Sequence, residues 1–219
     1  MVSPPHLGPV RCEEEWLRSA DPAPMIEFLG ERGSWRRWLL FACACCWRIL
    51  PLLTDERSRH AVSVAERLAE GAFDPREEAA AREEANLAVV QAYQSVDLAL
   101  ALASMAAASA LAAPRRAWRH AAEATSSGAG AERAAQCDLL RELFGNPFRP
   151  SAFDPAWRTP IVTAIASQIY QREAWEEMPV LGDALEDAGC PDAAALTHCR
   201  AGGPHLRGCW VVDGILGKN

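Results

Sequence analysis

From Trp35 onward the apolar residues Trp35, Trp38, Leu39, Ala42, Cys45, Cys46, Ile49 and Leu50 recur at three- and four-residue spacing, the period of one helix face, and Pro51 closes the run. The apolar stripe is wide, which predicts a helix placed centrally in a core. A second pattern follows Thr54, the expected cap of a helix reaching about Glu70 with Ala61, Val62, Ala65, Leu68 and Ala69 turned inward. Over 75–113 neither proline nor glycine interrupts the helical pattern, and these 39 residues would reach about 58 Å as one rod. That is long for a compact domain, so a break is expected near Asn86 or Asp97.

Start and stop signals repeat one chemistry. Asp21-Pro22, Asp74-Pro75, Asp154-Pro155 and Thr159-Pro160 each join a capping side chain to a proline whose missing N–H suits the first helical position. Gly30, Gly71, Gly145 and Gly189 each follow an amphipathic run, where glycine ends a helix at no steric cost. Past the segment TSSGAG at 125–130, expected as a flexible loop, come a helix ending near Phe144, a turn over 145–150, a helix from Pro160 to about Glu177, and short helices over 181–188 and 193–200. The tail 209–212 fits strand or helix, and no hairpin signal accompanies it. The pattern predicts an all-α fold, a single mostly helical domain over 1–219.

Composition narrows the function classes. The chain has 219 residues, half of them hydrophobic and 23% charged, so it can bury a full core without a disulfide or metal staple. A formal charge of -7 and pI near 5.3 argue against a nucleic-acid partner, because phosphate binding needs a basic face. Arg36/Arg37 and Arg115/Arg116/Arg119/His120 are the two basic clusters, and both read as solvated helix faces. The uncharged, alanine-rich run 98–114 is short for a bilayer span and predicts a buried helix, with no membrane partner. Residues 1–20 carry Glu13, Glu14, Glu15 and two arginines and no apolar secretion signal. The eight cysteines of this cysteine-rich chain are therefore expected as reduced thiols in a cytoplasm.

Among those thiols, Cys43, Cys45 and Cys46 lie mid-helix between Phe41 and Trp47, which predicts core packing rather than redox chemistry. The C-terminal group Cys190, His198, Cys199, His205 and Cys209 is the candidate metal site, since zinc takes four thiolate or imidazole ligands. Cys199, His205 and Cys209 could meet on a Gly-rich turn, with Cys190 or His198 as the fourth ligand. The spacing is not that of a standard finger, and the simpler expectation is that these cysteines pack as small hydrophobes and no cofactor is held. A thiol hydrolase would pair Cys137 or Cys199 with His198 or His60. The carboxylates Asp183, Glu186, Asp187 and Asp192 read as a solvated face. Gly-rich phosphate loops and paired E-x-x-H motifs are missing. Eight tryptophans make half of the aromatic residues, and Trp157, Trp175 and Trp210 beside Arg149, Arg158 and Arg207 could form a protein-recognition surface. The rings would otherwise simply join helices.

The stretches at 52–71 (LLTDERSRHAVSVAERLAEG), 136–150 (QCDLLRELFGNPFRP), 180–190 (VLGDALEDAGC) and 198–218 (HCRAGGPHLRGCWVVDGILGK), with 14–29, resemble a family of cytoplasmic proteins associated with planctomycete bacteria. That family has no known function, so the resemblance implies no activity, cofactor or catalytic residue. Gly182 and Gly214 depart from its pattern, which has alanine and leucine there. The expectation from sequence is a non-catalytic cytoplasmic interaction or scaffold protein with an unidentified protein partner. A zinc protein built on the C-terminal Cys/His group is the first alternative, and a thiol-dependent enzyme is the second.

Overall fold

Twelve α-helices and short 3-10 turns, with no strand among the described residues, carry the fold in a computed structural model. The structure describes residues 8–30, 32–72, 74–95, 97–125 and 128–218. The chain is all-α and packs as two compact units, Met1–Leu140 and Arg141–Asn219, and the division falls inside one helix. No helix is long and apolar enough to cross a membrane among the described residues.

The first unit holds α1 (Glu13–Arg18), α2 (Pro22–Leu29), α3 (Trp35–Arg48), α4 (Glu56–Ala69), α5 (Pro75–Gln94), α6 (Leu98–Ala112), α7 (Pro114–Ala124) and most of α8 (Ala129–Phe144). Ser34 caps α3 by accepting from the Arg37 N–H, and the helix buries Trp38 through Cys43 with Cys45 and Cys46 against α4, α6 and α7. Capping of α4 falls to Asp55 rather than Thr54: its carboxylate accepts from the Arg57 N–H and also holds the Arg57 guanidinium at 2.7 Å, a charge-assisted pair a threonine cannot make. The long pattern breaks at Asp97, whose side chain accepts from the Leu100 N–H to start α6, while α5 runs straight through Asn86. Facing alanines on α6 and α7, among them Ala103, Ala107, Ala117 and Ala121, are fully buried and let these helices pack closely. Ser126 and Ser127 of the expected loop lie outside the described residues.

A charged group enters this core. Glu132 of α8 is buried, and Arg48 Nε meets both of its oxygens at 2.9 and 3.1 Å while Gln136 donates to it and to the Trp118 carbonyl. Pairing offsets the desolvation that a lone carboxylate would suffer there.

Cys43, Cys45 and Cys46 are all buried, and burial pushes their thiols up, Cys46 to about 12. Thiols held protonated and covered are inert. A bulky maleimide is therefore expected to leave these three unmodified in native protein and to label them fully in denaturant, read by mass spectrometry of digests. Rapid native labelling at any of them would mean that α3 is not a core helix.

The second unit holds α9 (Pro160–Arg172), α10 (Met178–Asp187), α11 (Ala193–Arg200) and α12 (Trp210–Leu216). Thr159 caps α9 as its Thr-Pro signal predicts. Asp154-Pro155, by contrast, opens only a 3-10 turn, Pro155–Trp157, because Thr159-Pro160 follows at once and a residue before proline avoids the α region. The tail is helical, with Cys209 at the N-cap of α12. The core joins Val162 and Ile169 of α9, Leu181 and Leu185 of α10, Cys199 of α11 and Val212 of α12.

Candidate metal centre

Four segments of the second unit converge on one point. Glu142 comes from the last turn of α8, His198 from α11, His205 from the turn that follows it, and Cys209 from the start of α12. Gly145 ends α8 three residues after Glu142: its φ is +63°, and a side chain there would lie 3.2 Å from the Trp210 indole. Nδ1 or Nε2 of each histidine, a Glu142 oxygen and Cys209 Sγ all lie within 4.8 Å of one another, so the group could hold a metal ion.

The short distances within the group fit a ligand shell as well as a set of long hydrogen bonds. His198 Nε2 is 3.2 Å from Glu142 Oε2 and 3.3 Å from Cys209 Sγ, and His205 Nδ1 is 3.3 Å from Glu142 Oε1. A tetrahedron with bonds of the usual zinc lengths puts neighbouring ligand atoms about 3.3–3.6 Å apart, whereas N–H···O hydrogen bonds centre near 2.9 Å. His205 Nε2 meets the Ala201 carbonyl at 3.1 Å. That bond takes the Nε2 proton and turns the Nδ1 lone pair toward Glu142, as second-shell carbonyls do for metal-bound histidines. His205 Nδ1 then faces Glu142 Oε1 at 3.3 Å, a contact closed either by a second ring proton, which makes an imidazolium–carboxylate pair, or by a cation.

Burial sharpens that choice. Glu142 is buried, and burial would push its carboxyl up, but His198 and His205 outweigh this and hold it at about 2. Desolvation pulls His205 down, yet its bond to Glu142 and the attraction of that carboxylate leave it above the ordinary imidazole value. Cys209 is fully covered, and its thiol is pushed well up by burial first and by Glu142 second. A metal ion reverses this, since a coordinating thiol deprotonates.

Of the sequence candidates, His198, His205 and Cys209 meet, and Cys190 and Cys199 stand outside the group. Cys199 follows His198 directly and so points about 100° away around α11; it packs on α10, where a Cβ on Gly182 would lie 3.0 Å from its own. Burial pushes its thiol to about 12 and raises Cys190 as well. Glu142 was not singled out from sequence. It lies in the 136–150 block, 63 residues before His205, and nothing local distinguishes it among 29 acidic residues. The acidic run is surface: Asp183 and Glu186 pair with Arg200, and Asp192 caps α11.

The proposed recognition residues are dispersed over several contacts. Trp157 and Trp210 both pack on Phe153, at 6.4 and 6.0 Å between ring centroids. Trp175 lines a cavity of about 340 Å³ with Met178, Arg200, Gly203 and His205. Arg207 pairs with Glu173 at 2.9 Å and lies over Tyr170, and Arg149 is exposed. Arg158 donates to the Gly214 carbonyl. No protein-family model, curated protein or solved structure matches the chain.

Proposed function

We propose that the protein is a non-catalytic zinc-binding helical protein whose C-terminal unit is tied together by one ion held by Glu142, His198, His205 and Cys209. The observation that carries this reading is the convergence of four side chains from separate segments, whose candidate ligand atoms on Glu142, His198, His205 and Cys209 all lie within 4.8 Å of one another. Two nitrogens, one sulfur and one carboxylate suit zinc, and hard cations such as magnesium and calcium prefer all-oxygen shells.

The number of candidate ligands supports a structural ion. Catalytic zinc keeps one position for water, whereas here four protein side chains each offer a ligand atom, and of these only His205 lines the 340 Å³ cavity. A thiol enzyme fits less well. In such a relay the base uses one ring nitrogen for the thiol and the other for its orienting carboxylate, whereas His198 presents Nε2 to both Cys209 and Glu142.

Protein purified without a metal-affinity step is expected to carry about one zinc per chain by elemental analysis. Glu142→Gln and Cys209→Ser each remove one ligand and should lower the content well below stoichiometric, while Cys199→Ser should leave it unchanged. Metal-free wild-type protein that also fails to take up added zinc would overturn the reading.

A further inference from the structure

The four ligands are not equally shielded. The side chains of Glu142 and His205 are 2% and 5% exposed and Cys209 is covered, but that of His198 is 19% exposed. An incoming chelator or water can therefore reach the ion most readily at His198, and the ion can leave only once a ligand swings away. His198 is confined on two sides: the Trp210 ring packs against it at 5.2 Å between centroids and the His205 ring at 4.9 Å. His205 is itself a candidate ligand, so Trp210 is a restraint that does not bind the ion.

Room has been cleared for this indole. Gly145 lies against it, where a Cβ would come within 3.2 Å of the ring, and Phe153, 6.0 Å from it between centroids, occupies the place where Gly214 would carry a side chain. Phe153 in turn rests edge-on against Trp157. The indole is thus held between the end of α8 and an aromatic wall, one residue from Cys209.

Resting on the zinc reading, we infer that Trp210 is the positioning residue that sets the rate at which the site gives up its ion, by holding His198 in the shell and covering the route to it. No change in the ligands themselves is involved. The expected signature is kinetic: Trp210→Ala keeps about one zinc per chain, while transfer of that zinc to a chromogenic chelator speeds up about tenfold or more, the scale on which outer-shell partners act.

The test follows chelator colour after mixing with zinc-loaded wild-type protein, W210A, W210F and W157A, with melting temperatures recorded for each. Trp210→Phe keeps a ring against His198 and should stay near the wild-type rate. Trp157→Ala removes part of the same wall without touching His198, so it reports what destabilisation alone does to exchange, and its rate should also stay near wild type. Should W210A lose its native helical spectrum, Trp210→Leu takes its place under the same criterion. Equal rates in W210A and wild type, with zinc in both, would overturn the role of Trp210 and leave the zinc site standing. A comparable acceleration in W157A would overturn it too, by assigning the effect to loss of stability. Wild-type protein that binds no zinc would overturn both readings.

Discussion

Removing zinc with a chelator is expected to lower the melting temperature of the C-terminal unit by about 15–30 °C. A ligand present at a thousand times its dissociation constant adds about 4 kcal/mol to the folded state, and each kcal/mol is worth about 4–8 °C in a unit of this size. The unit is Arg141–Asn219, and its own core, from Val162 to Ile215, should keep part of it folded. The loss should begin where the ion ties separate segments: the exposed turn 201–204 has His205 as its nearest inward anchor. Hydrogen exchange with and without chelator should show new exchange over 198–212 first, with little change in α3 and α6. A melting temperature indifferent to chelator would mean that Glu142 and the imidazoles hold the turn by themselves.

The pH dependence separates the two situations. Without metal, Glu142 is depressed in the folded state, so its contribution is present above the ordinary carboxylate range and lost as pH falls toward about 2. His205 is raised, so its contribution is present below its ordinary value and lost as pH rises through the folded one. The metal-free protein should therefore lose this stabilisation as pH rises above the ordinary imidazole value near 6.5. Zinc requires neutral imidazole and thiolate, so its affinity rises over the same range. The difference in melting temperature with and without zinc should widen as pH rises, and a difference that narrows would count against metal coordination.

Gly214→Leu is expected to cost the C-terminal unit about 1–3 kcal/mol, the usual range for overpacking a filled site. Even a single Cβ at this position would lie 2.2 Å from the Phe153 ring. The ring must swing out, giving up its contacts with Trp157 and Trp210, each worth about 0.5–1.5 kcal/mol beyond burial. Replacing a mid-helix glycine returns about 1 kcal/mol of helix propensity, which is smaller than the loss. The sign should reverse once the obstacle is gone: Gly214→Ala, whose Cβ meets the same ring and should destabilise the parent protein, should stabilise a Phe153→Ala background. Urea midpoints of the four proteins in this cycle provide the measurement, and additivity would show that Phe153 moves aside without cost. The same contact explains why glycine occupies position 214 in this chain.

Helices, caps and the buried thiols of α3 were legible in the sequence because each rests on neighbours within about one turn. The 3.6-residue period exposes α3 and α4, an aspartate before the first turn announces α2 and α5, and of the two expected break positions, Asn86 and Asp97, the chain uses the one whose carboxylate caps α6. Local signals also misled where two were equally good, as with Thr54 beside Asp55, or where one interrupted another, as with Pro155 and Pro160. Three of the four candidate ligands could be named from residue type, since histidine and cysteine are the side chains zinc takes. Choosing between Cys199 and Cys209 required the phase of α11, and finding Glu142 required the packing that brings the end of α8 to residues more than fifty positions later. Residue chemistry along the chain thus determined which elements form and which side chains could bind a metal. Which of them share a point in space was decided by packing alone, because a ligand shell is a condition on distances between segments that no local pattern encodes.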